Sequence, residues 1–517
     1  MASPILHVFD PITHWTSRDP ARIAIRFQDQ SWTWQQLSER VRRNAAAQLV
    51  LGLAAGDRVA FLDKNHPASL ETTLGCAVAG TVNAVLNFRL APSELAYVIN
   101  DCRAELLILG AEFTGVVESI RADLEYVRTI VVLGGEHDEY ESWLDSAPSD
   151  VPAHRADPTD CFLQLYTSGT TGHPKGAMLT HRSVGAHSES ASTAFGFDRD
   201  SVNMVAMPLF HVGGTSWALA AMSQGAETIL VREVVPALVL KQITDQAVTH
   251  AFFVPAVIRF LLQIPGVSGQ DLASLRCLGY GGSPIPEALL REAMNTFGVD
   301  FYQVYGMTEA SGVFCVLPPA DHRDPAHPER LHAAGWPVDG VEVRVVDPVT
   351  GEELPDGTVG EFQIRGAQVM SGYWQRDADT AACFEGEWFK TGDAGRRDTD
   401  GYFYVEDRVK DVIISGGENI YPAEVERVIS EYPDVAEVAV IGIPDDKWGE
   451  SVRAVVVARN GSEIDTDTLL EYCAQHLAGY KRPRSIEIIP ALPRNATGKI
   501  LKRDLRAPHW AGRSRAL

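Results

Sequence analysis

Leu165-Tyr166-Thr167-Ser168-Gly169-Thr170-Thr171-Gly172-His173-Pro174-Lys175-Gly176 is the stretch on which the reading of this 517-residue chain turns. Three glycines and four hydroxyl side chains fall within ten positions, and Lys175 sits near the end of the run. Glycine lets a backbone approach a ligand closely and present its N–H groups, which suits an anionic phosphate. The short hydroxyls add neutral donors, and Lys175 adds a mobile positive charge. The apolar lead-in Cys161-Phe162-Leu163-Gln164-Leu165-Tyr166 reads as a strand, so the loop leaves a buried edge. This is not a Walker loop: Pro174 and Gly176 stand where G-x-x-x-x-G-K-[ST] needs glycine and Ser/Thr.

Further runs lie downstream. Met207-Pro208-Leu209-Phe210-His211-Val212-Gly213-Gly214 puts a histidine on an apolar segment, and Trp217 then interrupts the small residues Ala218, Ala220 and Ala221. Small residues around one ring suit a pocket wall with room beside it; core packing is the alternative for both His211 and Trp217. Leu278-Gly279-Tyr280-Gly281-Gly282-Ser283-Pro284 is too glycine-rich for a plain strand and implies close backbone approach to a ligand. Gln303-Val304-Tyr305-Gly306-Met307-Thr308-Glu309 ends on a carboxylate suited to magnesium, a hard cation that takes oxygen ligands alongside phosphates. Trp388-Phe389-Lys390-Thr391-Gly392-Asp393 carries a carboxylate at a turn, where capping competes with ligand binding as its task. Glu406-Asp407-Arg408-Val409-Lys410-Asp411-Val412-Ile413-Ile414, Ser415-Gly416-Gly417-Glu418-Asn419 and Pro493-Arg494-Asn495-Ala496-Thr497-Gly498-Lys499 complete the set.

In this order the runs resemble the motifs of the adenylate-forming superfamily, which includes acyl- and aryl-CoA synthetases, amino-acid adenylation domains and firefly-type luciferases. The resemblance spans Trp32 to Arg503. It implies that Thr167, Ser168, Gly169, Thr170, Thr171, Gly172 and Lys175 embrace the β- and γ-phosphates of ATP. Gly281, Val304, Tyr305 and Gly306 would surround the adenine, Thr308 would touch phosphate, and Glu309 would bind Mg2+. His211, Gly213, Trp217, Tyr280, Gly281 and Gly282 would line the acyl pocket. The resemblance further gives Asp393 and Arg408 the ribose, Lys410 the pivot between two domains, and Ser415, Gly416 and Gly417 the CoA tunnel. Lys499 would bridge the α-phosphate and the attacking carboxylate, so Lys499, Thr308 and Glu309 are the expected catalytic residues.

The chain is too long for one hydrophobic core, and two or more domains are expected. Strands at Arg22–Phe27 and Ser31–Trp34 precede a helical pattern with Leu37, Val41, Ala45 and Leu49 on one face. A strand over Gly56–Leu62, a helix over Leu70–Val82, and strands at Ala104–Leu109 and Thr129–Leu133 follow. This alternation predicts α/β layers with a largely parallel sheet. Beyond it comes a compact module: helix Pro422–Glu431, strands Val435–Ile441 and Val452–Val457, helix Asp467–Leu477 and strand Ser485–Ile489. The expectation is an α/β fold with a large multi-subdomain N-terminal adenylation domain, its sheets flanked by helices, over residues 1–408. A small, mobile α+β C-terminal domain would occupy 409–517.

A net charge of −23 argues against nucleic acid as a partner. Gly479–Leu517 nevertheless holds ten Lys/Arg against Glu487 and Asp504, and reads either as a solvated basic face or as a segment closing over a polyanion. Seven scattered cysteines without a C-x-x-C indicate reduced, mostly buried thiols. No apolar run reaches the length of a membrane span and Met1-Ala2-Ser3-Pro4 lacks a signal pattern, so the cytoplasm is the expected compartment.

These features predict an ATP-dependent acyl-CoA synthetase with ATP and CoA as co-substrates. It would activate a carboxylic acid, fatty and of medium to long chain, as acyl-AMP with release of pyrophosphate, then pass the acyl group to CoA. Rival readings are an aryl- or ring-bearing-acid CoA ligase and an acyl-AMP ligase that loads a carrier protein. Amino-acid adenylation is disfavoured, because Phe210-His211-Val212-Gly213 lacks an aspartate to pair with a substrate ammonium. Luciferase-type oxygenation and a non-catalytic nucleotide or acyl-CoA sensor complete the alternatives; the presence of Lys499 and Glu309 counts against the sensor. The resemblance also admits a homodimer.

Overall fold

Thr33 starts the first long helix, Trp34–Val50, with a reciprocal cap: its hydroxyl accepts from Gln36 N at 3.2 Å, and its own N–H donates to the Gln36 side chain at 2.9 Å. Leu37, Val41 and Ala45 are buried as the spacing predicts, but Leu49 is exposed. At 3.6 residues per turn the buried face runs on through Asn44 and Gln48 instead. Those polar side chains bond to each other at 2.6 Å, and Asn44 donates to Tyr140 at 3.1 Å. The helix read to Val82 ends three residues sooner. It spans Pro67–Ala79, Gly80 closes it at φ 82°, and the chain passes into a strand at Val82–Val85.

These elements belong to a computed structural model that describes residues 6–136, 138–148, 156–167, 174–415, 418–445, 447–494 and 500–511. The chain forms two compact units, Met1–Val343 with Ile364–Phe389 and Arg344–Gln363 with Lys390–Leu517.

The first unit contains two large sheets. One has seven strands in the order Gly372–Tyr373, Lys175–Thr180, Cys161–Thr167, Val82–Val85, Arg58–Leu62, Ala104–Gly110, Thr129–Leu133. The other has nine: Trp336–Pro337, Gly312–Leu317, Phe301–Met307, Cys277–Gly281, His250–Phe253, Val202–Val205, Glu227–Leu230, Ile23–Phe27, Gln30–Thr33. Their central strands are parallel; both edges of the nine-stranded sheet are antiparallel, whereas the seven-stranded sheet is antiparallel at its Gly372–Tyr373 edge and parallel at its Thr129–Leu133 edge. Both faces of such a sheet must be covered. In the seven-stranded sheet Ala60, Leu62, Leu107 and Leu109 enter one core, while Val59, Phe61, Leu106 and Ile108 enter another.

The glycine-rich run at Leu278 corrects the sequence reading, because Cys277–Gly281 is a fully buried central strand paired on both sides. Its glycines make room for the protein itself. A Cβ at Gly281 would stand 2.2 Å from the carbonyl oxygen of Val304, and one at Gly279 would meet the Phe252 ring at 3.1 Å.

In the second unit, Glu418–Ile420, Ile413–Ser415, Gly449–Ala458 and Val435–Asp445 form a sheet in that order, with Ser485–Ile488 also pairing Gly449–Ala458. Helices Pro422–Ser430 and Thr466–His476 bury Val425, Ile429, Leu469 and Cys473 against Ile413, Val440, Val452 and Ala454. The basic end of the chain resolves within this unit. Lys481 pairs with Glu424 at 2.7 Å, Arg494 with Glu437 at 3.0 Å, Lys502 with Glu426 at 2.8 Å and Arg506 with Asp411 at 2.7 Å. Neutralisation by carboxylates of the same unit accounts for these cations, whereas Lys499, Arg513 and Arg515 lie outside the described residues. All seven cysteines are free, and five of them are buried. Among the described residues no helix is long and apolar enough to cross a membrane.

Candidate active site

Ligands of parallel α/β sheets gather beyond the carboxyl ends of the strands, where loops from adjacent strands converge. Strand Cys161–Thr167 ends there, and Thr167 pairs antiparallel with Lys175, the two residues flanking the signature loop in sequence. Ser168, Gly169, Thr170, Thr171 and Gly172, all assigned to phosphate by sequence, lie outside the described residues, as do Gly416, Gly417 and Lys499. Of Lys410 only its place in the short turn Val409–Asp411 is described.

Gly372–Tyr373 adds an edge strand to Lys175–Thr180, with Tyr373 opposite Ala177. Asp101 secures the segment. It accepts from the Tyr166 hydroxyl at 2.8 Å and from Arg376 at 3.1 Å, and its backbone carbonyl accepts from the indole of Trp374 at 3.0 Å. Tyr373 is thereby brought to Glu309, whose carboxylate accepts from the Tyr373 hydroxyl at 2.8 Å. Burial first, and then Glu309, push the Tyr373 phenol well above its ordinary range, so it stays a donor. Glu309 is 7% exposed and sits in the turn Thr308–Ala310 at the end of strand Phe301–Met307. Lys175 approaches the same place: its Nζ is 5.4 Å from the centre of the Tyr373 ring and 2.8 Å from Asp379. Tyr373 and Asp379 were not singled out from sequence. The paired Gly372-Tyr373, with Gly372 at φ 143°, was the available signal for the first.

Tyr305 lies against Phe314 at 4.6 Å between ring centres. Gly306 is required by its neighbour, since a Cβ there would stand 2.2 Å from the carbonyl oxygen of Gly312. Gly282 follows the strand end at φ 76°. Tyr280 projects to the face opposite Gly279 and Gly281, as strand alternation requires. Its hydroxyl meets His322 Nε2 at 2.9 Å within the core around Phe301.

His211 is the N-cap of helix Val212–Ser223, accepting from Gly213 N at 3.1 Å through Nδ1, and burial lowers its pKa. The glycines after it leave space that other groups occupy. A Cβ on Gly213 would meet Phe252 at 3.1 Å, and one on Gly214 would meet the carbonyl oxygen of Pro208 at 2.3 Å. Trp217 completes this wall, with ring centres 5.0 Å from Phe195 and from Phe197, 5.8 Å from Phe252, and its ring edge reaching Gly279.

Within the second unit Asp393 and Arg408 face each other on paired strands and form an ion pair at 2.8 Å. The Asp393 N–H donates to Thr391 Oγ1 at 3.1 Å, and Thr391 donates to the carbonyl of Phe362 at 2.8 Å, which ties the backbone at Asp393 to the neighbouring strand. Ser415 is buried at the end of strand Ile413–Ser415.

Comparison with known proteins gives this arrangement its family. The family model of the AMP-binding enzymes matches residues 12–374, and that of the AMP-binding enzyme C-terminal domain matches 424–499. The chain is 39% identical over 503 residues to the fatty acid–[acyl-carrier-protein] ligase ScoC of Streptomyces coeruleorubidus, covering 96% of this chain and 95% of that protein. It is 41% identical over 489 residues to the feruloyl-CoA synthase of an Amycolatopsis species, covering 94% and 96%. The crystal structure of ATP-bound MatB from Rhodopseudomonas palustris superimposes with a TM-score of 0.89 at 30% identity, covering 97% of this chain and 98% of that one. The chain belongs to the AMP-binding, adenylate-forming enzymes and is an AMP-forming acid–thiol ligase.

Proposed function

We infer that this ligase activates a medium-length or ring-bearing apolar carboxylic acid and transfers it to CoA. A carboxylate is a poor electrophile, because its charge repels nucleophiles. Attack of its oxygen on the α-phosphorus of ATP breaks the bond to pyrophosphate and leaves an acyl-adenylate. The CoA thiol then attacks the acyl carbon, AMP departs with the bonding pair, and the thiol proton goes to solvent. In the first step charge gathers on the phosphates, so fixed cations and oriented donors lower the barrier. Lys175, Thr308 and Lys499 are the groups assigned to it, with Asp393 and Arg408 on the ribose.

Glu309 fits a magnesium ion carried in with ATP. It offers one hard carboxylate, and magnesium in nucleotide sites takes one or two such oxygens beside phosphates and water. Among the described residues no cluster of three acidic, histidine or cysteine groups offers a cage that would hold an ion without the nucleotide. The ion supplies neutralisation of phosphate charge when bound. Both substrates, ATP and CoA, are available in the cytoplasm, the proposed compartment of the reaction.

The aromatic wall carries the choice of acid. Trp217 is 6% exposed and Phe252 stands against Gly213, so two rings close this wall. Short or flat apolar tails suit such a wall. A second reading, transfer to a carrier protein, is favoured by one observation: ScoC, at 39% identity, is named for that acceptor. Pyrophosphate release measured across straight-chain, aryl and ring-bearing acids, with CoA, with a carrier protein and with neither, tests both. A preference for long straight chains would overturn the choice of acid, and product formed only on the carrier would overturn the choice of acceptor.

A further inference from the structure

Asp379 is a carboxylate that the mechanism does not use, yet it stands at the phosphate site. It lies on the short helix Asp377–Ala382, and its Oδ1 is 2.8 Å from Nζ of Lys175. The Lys175 side chain is only 11% exposed and its ammonium lies over the Tyr373 ring, so it has given up much of its water. A charge so placed needs a counter-charge. Asp379 provides one from a position that is still 35% exposed, where it is free to yield.

Glu309 is closed in the same way. The Tyr373 hydroxyl donates to it at 2.8 Å, and Tyr373 N donates to Thr380 Oγ1 at 2.9 Å, the residue next to Asp379. The cation assigned to the triphosphate is thus held by an anion, and the anion assigned to magnesium by a donor. Both partners come from one short segment, residues 373–380.

We propose that Asp379 is an internal stand-in for the β- and γ-phosphates. It neutralises Lys175 when no nucleotide is bound, gives way when ATP enters, and reclaims the lysine as pyrophosphate leaves. Tyr373 releases Glu309 in the same exchange. The proposal rests on the phosphate role assigned to Lys175. Its consequence is selective: the exchange opposes ligands carrying terminal phosphates and leaves AMP alone, because AMP has nothing to offer Lys175. It therefore favours release of pyrophosphate over loss of the adenylate.

Calorimetric titration with magnesium and a non-hydrolysable ATP analogue, with pyrophosphate, and with AMP tests this on the wild type, Asp379→Asn, Asp379→Ser and Lys175→Ala. Thermal unfolding of each variant confirms that it is folded. Both Asp379 variants are expected to bind the ATP analogue and pyrophosphate roughly threefold to tenfold more tightly, the range of a partly exposed ion pair. AMP affinity should not move. Unchanged or weaker binding of the ATP analogue to the Asp379 variants, with Lys175→Ala still weakened, would overturn the proposal alone and leave Asp379 as a group that merely orients the lysine. Unaltered ATP binding in Lys175→Ala would remove the phosphate role of Lys175 and the proposal with it.

Discussion

Replacing Trp217 with alanine tests the aromatic wall directly. The indole is 6% exposed and packs against Phe195, Phe197, Phe252 and the bare backbone of Gly279. Among the described residues its Nε1 has no hydrogen-bond partner, so the substitution strands no polar group there. Removing a buried Trp side chain costs on the order of 3–5 kcal/mol of stability, part of it for the cavity left behind. A substrate tail can refill that cavity. Each methylene buried there contributes up to about 0.8 kcal/mol, nearly fourfold in affinity, so a tail four carbons longer could gain on the order of two hundredfold. The assay is kcat/KM over a chain-length series at saturating ATP and CoA for both proteins, with unfolding curves in the presence of each acid. The preferred acid should lengthen by several carbons, and the longer acids should raise the variant's unfolding midpoint more than the wild type's. An unchanged optimum with uniformly lower activity would refute the reasoning and leave Trp217 as core packing, with specificity set elsewhere.

Lys499→Ala should slow adenylate formation by roughly a hundredfold to a thousandfold, the usual cost of losing one charge-stabilising group. It should spare CoA transfer from supplied acyl-adenylate, and equal loss of both half-reactions would count against the assignment. Lys410→Pro fixes φ and removes a backbone donor. Pyrophosphate release should stay near normal while thioester formation falls by orders of magnitude; equal survival of both would show that no rotation is organised about this residue. Acid should destabilise the fold through His187, which is 2% exposed and whose Nε2 accepts from Val313 N at 3.0 Å. Burial lowers its pKa from 6.5 to about 4, so below pH 6.5 the unfolded chain binds a proton that the folded one refuses. Stability should hold above pH 6.5 and fall by about 3 kcal/mol between pH 6.5 and 4. His187→Gln keeps an acceptor for Val313 and should flatten that slope in denaturant titrations, whereas an unaltered slope would rule His187 out as its source.

The fold was legible wherever local chemistry and long-range packing agree. Strand Thr129–Leu133 falls where the apolar run put it, and helix Thr466–His476 begins within one residue of its expected start, behind Asp465 as the cap. Three readings shifted, each because a neighbour distant in sequence decides. Leu49 turns outward because Asn44 and Gln48 find partners inside. Gly80 ends a helix that periodicity alone would have extended. Cys277–Gly281 is a strand despite its glycines, because Phe252 and the Val304 carbonyl claim the space of the missing Cβ atoms. Glycine marks close approach in a sequence without saying whether ligand or protein approaches.

The same logic divides the site. Glu309, Lys175, Asp393 and Arg408 stand in runs whose resemblance to the family's motifs proposes phosphate, metal or ribose roles for them. Their partners have no such mark. Tyr373 is 64 positions from Glu309, and Asp379 sits among ordinary helical residues, yet both stand within hydrogen-bonding distance of the groups that the motifs single out. The sequence presents Asp393 and Arg408 as two separate contacts, and only the register of paired strands makes them one ion pair. A motif names the group that meets the ligand, because the chemistry constrains its type. The group that pairs with it needs only the right charge or donor at the right place, which many residues at many positions could supply. That is why Asp379 and Tyr373 come into view only in the fold, as the ion-pair partner of Lys175 and the hydrogen-bond donor to Glu309.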